Sequence, residues 1–287
     1  MTKEVSTPDR FPTGSCDCHV HVYGPFDRFP AEAEGHFAPT REFPIELLFD
    51  VWNSIGISRG VIVHANNAGL NNEVTLDALK RFPDKLRAVA ILTPDVTDKR
   101  LDELTDAGFK GVRINLLRQD GHPVASGGMN LDDLRTLAPR IAERGWHTQL
   151  WIETGDLQDL APDLEKLPLD FVIDHQGRTT ADRTVEYKGF KWFCERLKSS
   201  RYWCKLSGAD RNTRIGSPYA DTEEFMRALV AANPDRLVWG TDWPHVGHAS
   251  GSIPKEMVLE DLFKRCVPDV GVRQKILVDN PVRLYGF

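Results

Sequence analysis

No stretch of this sequence is apolar for anything near the roughly 20 residues a membrane span requires, and residues 1–12 are polar with no signal-like apolar core. These absences predict a soluble, cytoplasmic protein with no membrane partner. Cysteine is sparse: Cys16, Cys18, Cys194, Cys204 and Cys266 are odd in number and form no CxxC pair. That argues against a disulfide framework or a structural zinc ribbon, and predicts reduced core residues. Basic runs interleaved with aromatics are missing and the net charge is −6, so no nucleic-acid partner is expected. Repeats, low-complexity tracts and composition shifts are missing too. So is a glycine-rich turn after the first strand-like run, which a doubly wound nucleotide-binding sheet would need.

What remains is ordinary globular usage, 41% hydrophobic and 27% charged over 287 residues, enough to bury a large core. Strand-like runs at 18–23, 61–65, 88–92, 111–116, 148–153, 171–175, 202–207 and 237–241 alternate with helical patterns. The latter fall at 45–55, 73–81, 99–106, 131–144, 157–164, 186–197, 221–232 and 255–265. Eight of each predicts an α/β fold, a (β/α)8 TIM barrel, as a single domain over 1–287.

The first run carries Asp17-Cys18-His19-Val20-His21-Val22. Residues i and i+2 of a strand share a face, so both imidazoles converge on one spot. A lone buried histidine is more often a satisfied core group. Two at this spacing, before Gly24-Pro25, point to a site that ligates a metal or donates protons and hydrogen bonds. In a barrel, ligands collect at the C-terminal strand ends, and polar residues gather there. The second run ends at His64 and Asn66, either able to donate to a substrate oxygen. The fourth presents Arg113 and Asn115, the fifth Trp151 and Glu153, and the sixth Asp174, His175 and Arg178. The seventh carries Lys205 and Ser207 before Arg211, and the eighth ends Thr241-Asp242-Trp243-Pro244-His245. Arginine is commonly a solvated rim residue, but cationic groups at three strand ends suit an anionic ligand. His147 begins its run and belongs to the opposite end. His36, His122 and His248 sit in loops and are expected to be exposed, and Trp239 and Trp243 to pack.

The segments DCHVHVYGP, VIVHANNAG, GVRINLL, VIDHQGR and WGTDWPH, with the closing NPVRLYGF, resemble the amidohydrolase superfamily. The closer likeness is to its branch of 2-pyrone-4,6-dicarboxylate lactonase and the sulfomuconolactone and sugar-acid lactone hydrolases. The resemblance implies a TIM barrel in which His19, His21 and His175 match site histidines and Asp242 the aspartate that activates water. It implies that Arg113, Arg178 and Arg211 meet substrate carboxylates. Where the pyrone-dicarboxylate enzymes have two tyrosines and a serine, this chain aligns Phe37, Trp151 and Asn66. Lost hydroxyls change recognition, so the expected substrate is a carboxylated or sulfonated lactone other than that pyrone, with Asn66 and Trp151 in its pocket.

The residues support a carboxylic-ester hydrolase on their own terms. Asp242 can take a proton from water, while histidines and arginines stabilise the oxyanion and bind carboxylates. No metal is expected to be required, since the related dicarboxylate lactonases work without one. The alternative is one Zn2+ on His19, His21 and Asp242. A binuclear centre is not expected, because Arg113 and Asn115 stand where the resemblance implies a bridging lysine or acid. The rival readings are a metal-dependent decarboxylase of the same superfamily, a sugar-acid lactone isomerase, or a non-catalytic binder of an acidic metabolite.

Overall fold

Eight parallel strands pair in chain order with a helical segment after each, forming the barrel that the alternation predicts. The structure, a computed structural model, describes residues 10–31, 37–119, 121–124, 128–199, 201–249 and 251–287. His36 lies outside them. The barrel strands are β1 (Cys16–Val20), β2 (Arg59–Val63), β3 (Leu86–Ala90), β4 (Phe109–Asn115), β5 (His147–Trp151), β6 (Phe171–Ile173), β7 (Tyr202–Leu206) and β8 (Leu237–Trp239). A small hairpin of Arg118–Gln119 and His122–Pro123 decorates the loop after β4.

Helices form where the sequence places a buried stripe between clear stop signals. In Ile45–Ile55 the buried residues are Ile45, Leu48, Trp52 and Ile55, and Gly56 ends the helix at φ 82°, its N–H returning to the Trp52 carbonyl. Leu131–Ala142 opens with a capping box between Asn130 and Asp133. Among the described residues no helix is long and apolar enough to cross a membrane.

All eight expected strand runs overshoot the observed strands at their C-terminal ends, β1 by three residues and the others by one or two. The apolar pattern continues past the last ladder hydrogen bond because these segments still line the barrel mouth. After β6, for instance, His175, Gln176 and Arg178 turn to φ 52°, 56° and 46°, which stops the ladder.

The seam between β1 and β8 closes just beyond the strands. His21 N–H donates to the Trp243 carbonyl at 2.8 Å and Asp242 N–H to the His19 carbonyl at 2.9 Å. Asp17 latches the same seam. Its carboxylate accepts from Thr241 N (2.9 Å), Thr241 Oγ1 (2.7 Å) and Trp52 Nε1 (3.1 Å). Gly240 permits the close approach, since a Cβ there would lie 2.7 Å from His19 N. The opposite end is plugged by the C-terminal turns, whose Tyr285 packs with Cys16, Cys18, Val61, Val89 and Val238. His147 is buried at that end beside Tyr285, as its position in the strand predicts.

Candidate functional site

The two histidines of β1 and its following residues do share a face, their rings 5.0 Å apart. His21 Nδ1 lies 2.7 Å from the Val63 carbonyl oxygen. A carbonyl only accepts, so Nδ1 carries a hydrogen, while Nε2 lies 3.3 Å from Asp242 Oδ1. His19 Nε2 is 3.5 Å and His175 Nε2 3.9 Å from that same oxygen. Three buried imidazoles thus ring one carboxylate oxygen. The other, Oδ2, accepts from Arg211 Nε at 2.7 Å.

The backbone makes this convergence possible. Asp242 has φ 69° and His175 φ 52°, a region unfavourable for side-chain-bearing residues and common where sites store strain. Ser207 Oγ meets His175 Nδ1 at 3.0 Å. Gly208, at φ 68°, leaves room for that imidazole, because a Cβ there would approach the His175 Cβ to 2.6 Å.

Beneath the ring lies a polar layer inside the barrel. The β4–β5 register pairs Arg113 with Gln149, and both donate to Asp174 Oδ2, at 3.0 and 3.1 Å. Lys205, fully buried on β7, donates to Gln149 Oε1 at 2.7 Å and meets His19 Nδ1 at 3.3 Å, with Asp174 Oδ1 at 3.6 Å. Sequence reasoning named Lys205 without giving it a role and missed Gln149 and the fully buried Tyr23. The signal was there: Gly111, Arg113 and Asn115, His147, Gln149 and Trp151, and Lys205 and Ser207 follow the two-residue period of an inward face.

Burial and neighbouring charges set the protonation states. Burial would raise the Asp242 carboxyl, but Arg211 and the imidazoles hold it well below the usual carboxylate range. Asp174 is likewise held down against burial by His19, Arg113 and Lys205. Burial lowers His175 to about 4, and burial plus the Lys205 charge puts His19 well below its ordinary value. The Lys205 ammonium is lowered by burial to about 8.

Above the ring opens a cavity lined by His21, His175, Asp242, Arg113, Arg211, Asn66 and Trp151, with Tyr23, Phe37 and Asn115 among its other walls. Arg113 uses Nε on Asp174 and stacks 5.0 Å from the Trp151 ring; among the described residues its Nη atoms make no hydrogen bond. Arg178 instead lines an adjoining outer cleft that shares Phe37, Trp151 and Arg211 with the cavity. It donates to Asn212 Oδ1 at 2.5 Å, and burial lowers it to about 10. His64 is outside the cavity. Its ring nitrogens engage Thr75 Oγ1 (2.8 Å) and the Gly69 carbonyl (2.6 Å), so of the two donors expected after β2 only Asn66 reaches the pocket. Glu153 binds Arg183 at 2.6 Å. His248, expected in the open, is half-buried with Nε2 2.7 Å from Asp210, whereas His122 is exposed.

The residues fit one metal ion in identity and spacing. Ligand atoms of His19, His21 and Asp242 lie within 4.8 Å of one another, and two imidazoles with a carboxylate suit zinc, but the Lys205 ammonium 3.3 Å from His19 Nδ1 sets a like charge beside the site. A second ion beside them is disfavoured by the Arg113 guanidinium on Asp174, a fixed charge of the same sign.

The sequence profile of the amidohydrolase family matches residues 16–287. A 4-sulfomuconolactone hydrolase of Hydrogenophaga intermedia is 35% identical over 97% of this chain and 91% of its own. A 2-pyrone-4,6-dicarboxylate hydrolase of Comamonas testosteroni is 33% identical over 96% and 91%. Among solved structures, a probable 2-pyrone-4,6-dicarboxylic acid hydrolase of Acinetobacter baumannii with citric acid bound superposes with a TM-score of 0.79. It is 26% identical, covering 96% of this chain and 100% of that one.

Proposed function

The chain belongs to the amidohydrolase family, and from that premise we propose that it is a lactonase, hydrolysing a small lactone that carries carboxylate or sulfonate groups. The observation that carries the reading is the Asp242 carboxylate, one oxygen fixed by Arg211 and the other ringed by three imidazoles, at the floor of a cavity walled by guanidinium. Its relatives act on lactones with such groups.

In this reading Asp242 Oδ1 holds the attacking water and takes its proton as the water oxygen bonds to the lactone carbonyl carbon. Hydrogen-bond donors from the histidine ring and the Arg113 Nη atoms stabilise the oxyanion and the substrate's anionic group, in a site where few waters compete. Collapse breaks the ring C–O bond, and Asp242 returns the proton to the leaving oxygen. The opened acid ionises, so each turnover releases one proton to solvent. Because Arg211 keeps Asp242 ionised, the base is ready throughout the neutral range. A zinc ion, if held by His19, His21 and Asp242, would supply carbonyl polarisation and a more acidic water.

The aromatic walls Phe37 and Trp151, with rings 5.4 Å apart, favour a flat unsaturated lactone over a polyhydroxylated one. The free cysteines suit a reducing cytoplasm. The test is a proton-release screen of anionic lactones, sulfonated and carboxylated muconolactones first, with and without chelator. Asp242→Asn should lose roughly 10²–10⁴-fold in kcat. Hydrolysis by that variant at the parent rate would overturn the mechanism, and carbon dioxide release abolished by chelation would point to a decarboxylase.

A further inference from the structure

Lys205 is fully buried in the barrel, and the mechanism above gives it no task. Its ammonium donates to Gln149 Oε1 at 2.7 Å, and the same amide donates through Nε2 to Asp174 Oδ2 at 3.1 Å. The amide is thereby fixed in orientation and fixes Nζ in turn. From that position Nζ meets His19 Nδ1 at 3.3 Å in hydrogen-bond alignment. Asp174 Oδ1 also lies 3.3 Å from Nδ1, yet it ends as a buried oxygen with no hydrogen bond.

An ammonium has hydrogens and no lone pair. The imidazole nitrogen aligned with it must therefore accept, because the opposite tautomer would set two donors head to head. A neutral imidazole has one N–H, which then sits on Nε2, pointing toward Asp242 Oδ1 at 3.5 Å. We propose that Lys205 is a positioning residue that holds His19 in the Nε2–H tautomer, making it a donor toward Asp242 and the reacting oxygen and withdrawing the lone pair a zinc ion would need. The ammonium also places a fixed positive charge beside the ring, which repels a divalent ion. Without Lys205, Nδ1–H turns to Asp174 Oδ1, the carboxylate–imidazole arrangement typical of a metal-binding histidine.

The proposal depends on the lactonase reading only for its kinetic arm. In wild-type protein labelled with 15N-histidine, the His19 signal, assigned by its loss in His19→Gln, should show a protonated Nε2 and an unprotonated Nδ1. Lys205→Met should reverse that pattern, and Lys205→Gln, whose amide still donates, should restore it. After dialysis against zinc, wild type should keep almost none at this site. Lys205→Met should keep roughly one ion per chain, lost again when His19→Ala is added. With an active lactone, Lys205→Met should lower kcat roughly 10–100-fold with little change in KM. A protonated Nδ1 in wild-type His19, or stoichiometric zinc in wild type that depends on His19, overturns the proposal. If Lys205→Met does not fold, the wild-type spectrum and Lys205→Gln decide it. Correct tautomer and zinc behaviour without any lactone turnover would instead sink the lactonase reading and leave this one standing.

Discussion

Replacing Arg211 by methionine removes the cation that keeps Asp242 ionised while leaving the carboxylate buried. The Nε–Oδ2 contact is 2.7 Å, which places the charge centres about 4 Å apart. At an effective dielectric of about 20, such a pair interacts by about 4 kcal/mol, equivalent to roughly 3 pKa units. Relaxation and water entry will return part of this, so an upward movement of about 1–3 units is expected. In the parent, Asp242 titrates well below the usual carboxylate range, and its kcat/KM should be level from neutrality down to about pH 5. In Arg211→Met, rate should fall as pH drops through the raised value, because the base is lost when it gains its proton. Arg211→Lys, which keeps the charge, should place the acid limb near the parent's. The assay is kcat/KM against pH on an active lactone, with circular dichroism at each pH to confirm folding. The position of the limb is diagnostic even if Arg211 also binds substrate, since a binding defect scales the profile without moving it. An acid limb in folded Arg211→Met that coincides with the parent's would refute the argument.

Acid should weaken the fold before it protonates Asp242. His64, His147 and His175 are lowered by burial to about 4, 3 and 4, so the unfolded chain binds more protons than the folded one below about pH 6.5. At up to about 1.4 kcal/mol per unit for each, the loss by pH 5 is roughly 6 kcal/mol. Asp17, raised by burial to about 6, opposes this with roughly 1 kcal/mol, since its protonated form favours the folded state. Urea midpoints at pH 7, 6 and 5 should fall steeply, and constant midpoints would contradict the buried neutral rings. Gly208→Ala should cost about 1–3 kcal/mol from its positive φ and push His175 aside, so kcat should drop more than the melting temperature suggests. Retained full activity would contradict the close approach. Arg113→Met should raise KM for an anionic lactone by at least roughly tenfold, the loss of a charge-assisted hydrogen bond, while sparing a neutral one. Equal effects on both would assign Arg113 to Asp174 alone.

The fold was legible because alternation needs only composition and spacing. The helix bounds 45–55 and 73–81 coincide with Ile45–Ile55 and Glu73–Arg81, where Gly56 and the Phe82-Pro83 break mark the ends. Strand ends were less legible, since apolar residues such as Val22 and Ala65 continue past the ladder. His19, His21, His175 and Asp242 could be gathered from their places at strand ends. Their division of labour could not. That Arg211 grips Asp242, that Arg113 braces Asp174, and that His64 is consumed by Thr75 and Gly69 depend on distances across the barrel, to which local spacing is blind. Lys205 and Gln149 were in phase with the inward face, but a polar residue in mid-strand has no local mark separating a core network from a solvated edge.

The seam between the first and last strands has a consequence for how the chain comes to life on the ribosome. Asp17 and Thr241 join across 224 positions of sequence, and the same closure brings His19 and His21 to Asp242. A nascent chain that has not yet emitted its eighth strand has all three histidines but lacks Asp242. On the lactonase reading, turnover begins with the last long-range contact rather than growing with length. C-terminal truncations ending before Asp242 should be inert however much of the barrel they retain, and onset of activity during synthesis is a clock for ring closure.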